Sequence, residues 1–71
     1  MKLHYYPETD MLYIELSEAA SVETREITEG LNVDLDSAGH VVGFDIEHAS
    51  QTLDLHRLDV DSLPVTSLRV A

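Results

Sequence analysis

The sequence predicts a small α+β domain: an antiparallel β-meander of four to five strands with a short C-terminal helix packed on one face. Three observations lead there. Apolar and polar residues alternate from Leu3 to Ile46, the pattern of half-buried strands whose side chains point to opposite faces in turn. Turns or short polar connections interrupt the alternation at positions 7–10, 17–21, 29–30 and 36–39, and connections that short join antiparallel neighbours, because a parallel crossover needs a dozen or more residues. The alternation ends after His48. At 71 residues the chain forms one domain, with the sheet over 1–49 and a short helix and extended tail over 50–71.

Leu3 and Tyr5 open the first strand, and Pro7-Glu8-Thr9-Asp10 reads as a tight turn, since proline presets one backbone dihedral and an acid can bond nearby amides. In the second strand Leu12, Ile14 and Leu16 share the core parity, leaving Met11, Tyr13 and Glu15 on the other face. Residues 22–28 carry strand-forming Val, Thr and Ile between charges, with helix as the competing reading. Glu29-Gly30 suits a primed hairpin turn before Leu31-Asn32-Val33-Asp34-Leu35. Asp36-Ser37-Ala38-Gly39 is the clearest turn and leads to a strand in which Val42, Phe44 and Ile46 share a face. For residues 52–63 the spacing of Leu53, Leu55, Leu58, Val60 and Leu63 fits helix or strand; a helix is expected, capped by Thr52 and stopped by Pro64. Residues 65–71 read as an extended edge strand or arm.

Four Lys plus Arg against 14 Asp plus Glu give a net charge of −10. Lys2, Arg25, Arg57 and Arg69 are scattered among acids, whereas nucleic acids and anionic membranes demand clustered cations. No direct nucleic acid or membrane partner is expected, and a basic protein is favoured; plain solubility explains the same charge equally well. No stretch reaches membrane-spanning length or forms a secretory h-region, so a cytoplasmic protein is expected. With no cysteine there is neither disulfide nor thiolate metal site to support a thin core, which leaves oligomerisation, a dimer first. Tyr6, Met11, Tyr13 and Val41 fall on the parity opposite the core and form the candidate interface, since tyrosine and methionine are enriched at such surfaces. Tyrosines lying flat on a sheet are the plainer explanation.

No catalytic, cofactor-binding or metal-binding residue is assigned. Asp34, Asp36 and Asp45 with Gly39 approach a calcium loop, but Ala38 lacks a side-chain oxygen and the flanks read as strands, so a hairpin turn explains the same residues. His4, His40, His48 and His56 show no paired metal spacing; His48, near Asp45 and Glu47, is more simply a hydrogen-bonded histidine than a ligand. Ser50, Ser62, His48, His56, Asp54 and Asp59 make triads only on paper, without a nucleophile elbow, and the Asp59 and Asp61 pair is unremarkable among 14 acids. Gly30, Gly39 and Gly43 sit apart and make no phosphate loop.

Residues 5–14 (Tyr-Tyr-Pro-Glu-Thr-Asp-Met-Leu-Tyr-Ile), the run from Asp36 to Ile46 and the pair Ala49-Ser50 resemble a prokaryotic family of domains of unknown function, numbered 2283. The resemblance covers about residues 1–53. Its hallmarks are a tyrosine, a proline-acid turn ending in aspartate, a Leu-Tyr-Ile strand, an Asp-x-x-Gly turn, a Val-Gly pair and an Ala-Ser pair. Tyr6 stands where the family usually has aspartate. The resemblance implies no activity or catalytic residue; the neighbourhood of small basic toxin-like proteins that it implies for some members would suit an acidic, antitoxin-like partner. The expected function is therefore a noncatalytic, acidic, homo-oligomeric protein-binding module. The alternative is a small enzyme or metal-dependent protein with its site between subunits.

Overall fold

The computed structural model describes residues 1–71. Five strands, β1 (Lys2–Tyr6), β2 (Met11–Glu15), β3 (Glu23–Thr28), β4 (Leu31–Leu35) and β5 (Val41–Ile46), form one antiparallel sheet and precede a single helical turn, α1 (Ala49–Thr52). The strand order is β1-β2-β5-β4-β3, so the meander is sequential only from β3 to β5, and the β1–β2 hairpin docks through β2 onto β5. A fully sequential sheet would place Glu-Thr-Arg-Glu-Ile-Thr of β3 at its centre; the observed order sends that exposed, charged strand to an edge, where charges also discourage stray pairing. Segment 16–22 makes the crossing. It is tied by the Leu16 and Ser17 amides, which donate to the Val42 carbonyl, and by the Val22 amide, which donates to that of Leu35.

Local chemistry sets the turns. Asp36 Oδ1 accepts the amides of Ala38 and His40, both at 2.9 Å, while Gly39 takes φ +83°, a conformation that a Cβ would strain. The primed turn expected at Glu29-Gly30 is not formed. Only Gly30 has positive φ there, and a register shift between Glu26 and Thr28 supplies the twist that such a turn would have contributed.

The C-terminal expectation is corrected. The helix is four residues long and ends where a longer one was expected to start, with Leu53 extended (φ −125°, ψ 152°). The apolar spacing beyond it follows neither period, and Asp54 accepts the His56 amide at 3.0 Å, a local turn that competes with helix. Residues 65–71 form no strand. Hydrogen bonds made by residues 54–71 are all local, and none reaches the sheet.

The register separates two faces. Leu12 lies opposite Ile46 and Ile14 opposite Phe44; Leu31 and Val33 meet the same two residues from β4. With Leu3 and Tyr5 from β1 they make an apolar face, and Leu12, Val33, Leu35, Val42 and Ala49 are its buried apolar members. Its charges are Arg25 and Glu23, which pair with each other at 3.0 Å on the β3 edge. The opposite face is polar.

Candidate functional site

The polar face is built from the alternate positions of all five strands. Thr24 and Glu26 of β3, Asn32 and Asp34 of β4, Asp45 of β5, Met11, Tyr13 and Glu15 of β2, and Lys2, His4 and Tyr6 of β1 share it by register, with Lys2 directly opposite Glu15. At its centre Asp34 is only 7% exposed and accepts a 2.7 Å hydrogen bond from the Thr24 hydroxyl. Asp45 reaches the same place from the neighbouring strand. Burial pushes its carboxyl up to about 6, helped by a hydrogen bond shared with Asp34 and by the charges of Asp34 and Glu47. A proton between two carboxyls removes the like-charge penalty that such a pair would otherwise carry. The group therefore titrates close to neutrality.

Tyr13 closes the site from β2. Its ring passes over Gly43, where an added Cβ would lie 2.9 Å from the hydroxyl, and burial, with the charges of Asp34, Glu15 and Asp45, raises its phenol from the ordinary tyrosine value. Glycine is required here by close approach rather than by backbone angle.

Of the four sequence-derived interface residues, three come together: Tyr6 lies directly opposite Met11, and Tyr13 follows two positions along β2 on the same face. His4 packs edge-on against Tyr6, ring centres 4.4 Å apart. Val41 is separate. It stands at the β4–β5 irregularity opposite Leu35, about 13 Å along the strand from Asp45 at 3.3 Å per residue. The calcium-like set divides similarly, since Asp34 and Asp45 converge while Asp36 is engaged by turn amides. No group of three or more His, Cys, Asp or Glu is arranged to hold a metal ion.

The paper triads do not assemble around Ser50. Its hydroxyl donates to Asp10 Oδ2 at 2.7 Å, its amide donates to Asp10 Oδ1 at 3.0 Å, and the Tyr5 hydroxyl donates to that same Oδ1 at 2.8 Å. Asp10 sits at φ 54°, a conformation that aspartate tolerates better than most residues, and its carbonyl accepts the Ala49 amide. The bonds from Ser50 and Tyr5 hold its carboxyl below the usual carboxylate range. This junction pins α1 to the first turn and is structural. Asp10→Ala is expected to release it: amide exchange at Ala49 and Ser50 accelerates and the urea midpoint falls. Ser50→Ala, which keeps the amide bond, has the smaller effect. Unchanged exchange in Asp10→Ala would show that the junction carries no strain-bearing role.

The model of a family described as a protein of unknown function, DUF2283, matches residues 2–50, which span all five strands and the start of α1. The chain belongs to this family. No curated protein and no solved structure matches it. Eight of the residues that carry the resemblance enter three contacts here: Tyr5, Asp10, Ala49 and Ser50 at the junction, Tyr13 over Gly43, and Asp36 with Gly39 in the hairpin loop. All three shape the sheet. Residues 51–71 lie beyond the family match. In this DUF2283 chain no helix is long and apolar enough to cross a membrane.

Proposed function

We propose that this chain is a noncatalytic protein-binding module whose polar sheet face receives a basic polypeptide, in the manner of an antitoxin-like partner. One observation carries the reading: Glu15, Glu26, Asp34 and Asp45 converge on one face beside Tyr6, Met11 and Tyr13, which supply contact area. A lone surplus of acids would serve solubility; acids gathered around aromatic residues fit recognition, with charge setting encounter rate and register. Self-association of the module and a cytoplasmic setting belong to the same proposal.

Host lysate passed over the immobilised protein at about 50 mM salt is expected to leave a basic polypeptide bound, and about 500 mM salt to release it, because exposed charges are then screened. Glu15→Gln with Glu26→Gln weakens retention about tenfold. Asp59→Asn with Asp61→Asn, an equal change of charge on the C-terminal segment, leaves it unchanged. Equal losses in both variants, or no retained basic polypeptide, would overturn the proposal.

A second reading, a small enzyme or metal-dependent protein with its site between subunits, is favoured by the Asp34–Asp45 pair, since a carboxyl near 6 can exchange protons at neutral pH. Stoichiometric metal in protein purified without chelator would support it over the first.

A further inference from the structure

The sheet's other face carries separate information. A folded chain of 7.9 kDa is expected to expose about 4,400 Å², whereas this one exposes 5870 Å², an excess of about 1,500 Å². Its radius of gyration is 13.1 Å, against about 11 Å for a self-contained domain of this length. Part of it lines two apolar grooves. An apolar groove of about 840 Å³ runs between Leu3, Tyr5, Leu12 and Ile14 on the sheet and Leu55 and Leu58 on the C-terminal segment. A second groove continues it past Met1, Leu3, Val60, Leu63 and Leu68.

We infer that this apolar face is closed by a second copy of the chain, deepening the self-association part of the proposed function. Three features select a copy over another partner. First, the chain carries both halves of the contact. Forming one wall of these grooves, the C-terminal segment repeats Leu-x-Val every five residues, at Leu58 and Val60, Leu63 and Val65, Leu68 and Val70, and all six side chains remain exposed, Leu58 by 67% and Leu68 by 71%. A two-fold axis sets each groove against the other chain's segment, as an isologous interface requires. Second, the area fits. If each copy hides about half of that excess, about 1,500 Å² is removed in all, the size of a standard specific interface. Third, the charge fits. A chain of net charge −10 keeps acids off the sheet's apolar face except Glu23, which Arg25 neutralises, and the groove wall adds one acid, Asp54, and one cation, Arg57, so two like-charged copies can meet there while a basic partner finds little net charge to attract it.

Sedimentation at about 50 µM protein is expected to give twice the 7.9 kDa chain mass, and added salt tightens the dimer by screening repulsion between copies, the opposite of its effect on a basic partner. Leu3→Glu and Leu58→Glu, at half-exposed and exposed positions, each weaken the dimer about 100-fold or more, while far-ultraviolet dichroism keeps its strand signal. A monomer at about 100 µM in about 0.5 M salt, or a dimer indifferent to both substitutions, would overturn the inference. A wild-type monomer that still retains the basic polypeptide defeats this inference alone; a dimer that retains none defeats the earlier reading alone.

Discussion

Gly43→Val is expected to leave the chain largely unfolded at 25 °C, and Gly43→Ala to lower its stability by about 1–2 kcal/mol. In most strands the second change would help, because glycine loses more backbone freedom on folding than alanine does. Gly43 is different because the space above it is filled. A Cβ there would meet the Tyr13 hydroxyl at 2.9 Å, the Ile14 carbonyl oxygen at 3.2 Å and Tyr13 Cε1 at 3.2 Å. The hydroxyl ends a side chain that can swing away; the carbonyl belongs to the backbone of β2, paired with β5 at this point, and cannot. Valine adds two methyl groups to the same gap and raises the cost to about 3 kcal/mol or more. A disulfide-free domain of this size has roughly 3–5 kcal/mol in total. Urea titrations followed by circular dichroism measure both variants, and Tyr13→Phe supplies the control: removing the hydroxyl relieves the tightest contact, so Gly43→Ala costs less in that background. Equal costs in the two backgrounds would show that Tyr13 is not what excludes a side chain here.

That contact shows what a sequence can and cannot disclose. Alternation placed Leu12 and Ile14 on one face and Phe44 and Ile46 on one face, and the register joins those pairs directly, because a period-two pattern with a single buried face admits few alternatives. The strand order was not legible. It depends on which strand tolerates an edge, a comparison between β3 and β5 that no local window contains. The C-terminal leucines misled because Leu53, Leu55 and Leu58 are compatible with a helical face when read alone, while Asp54 and its turn decide against helix. Two polar constellations stayed hidden for a different reason. Asp10 and Ser50 are 40 residues apart in sequence, and Asp34 meets Asp45 only once the β4–β5 register is known. Asp34 and Asp45 already stood out as acids flanking a turn, in a calcium-like spacing set aside for a plain hairpin; the β4–β5 register brings them together in the folded sheet.

The raised Asp45 carboxyl is expected to make the protein more stable in mild acid. An ordinary aspartate titrates near 3.8, and Asp45 does so at about 6 when folded. Between these values the unfolded chain has lost the proton and the folded chain keeps it, so folding takes up a proton, and stability falls as pH rises through the window and levels off above it. The interval sets a ceiling of about 3 kcal/mol at about 1.4 kcal/mol per unit. Asp45 is only part-buried, and solvent screening reduces the expected gain between pH 7.5 and pH 4.5 to about 1 kcal/mol. Asp10 and Asp36 act in the opposite sense. Their carboxyls are held low by hydrogen bonds, chiefly from Ser50 and from the His40 amide, so what they contribute is present above about 3.8 and disappears only in stronger acid. Stability should thus peak near pH 4–5 rather than at neutrality. Asp45→Asn isolates the cause, because an amide can donate to Asp34 at every pH without adding charge. The variant should be about 1 kcal/mol more stable than the parent at pH 7.5 and should lose the slope between pH 4.5 and 7.5. Urea midpoints across that range decide it: a parent curve flat from pH 4.5 to 7.5, or an asparagine variant weaker than the parent at pH 7.5, would mean that the two carboxyls do not share a proton in the folded sheet.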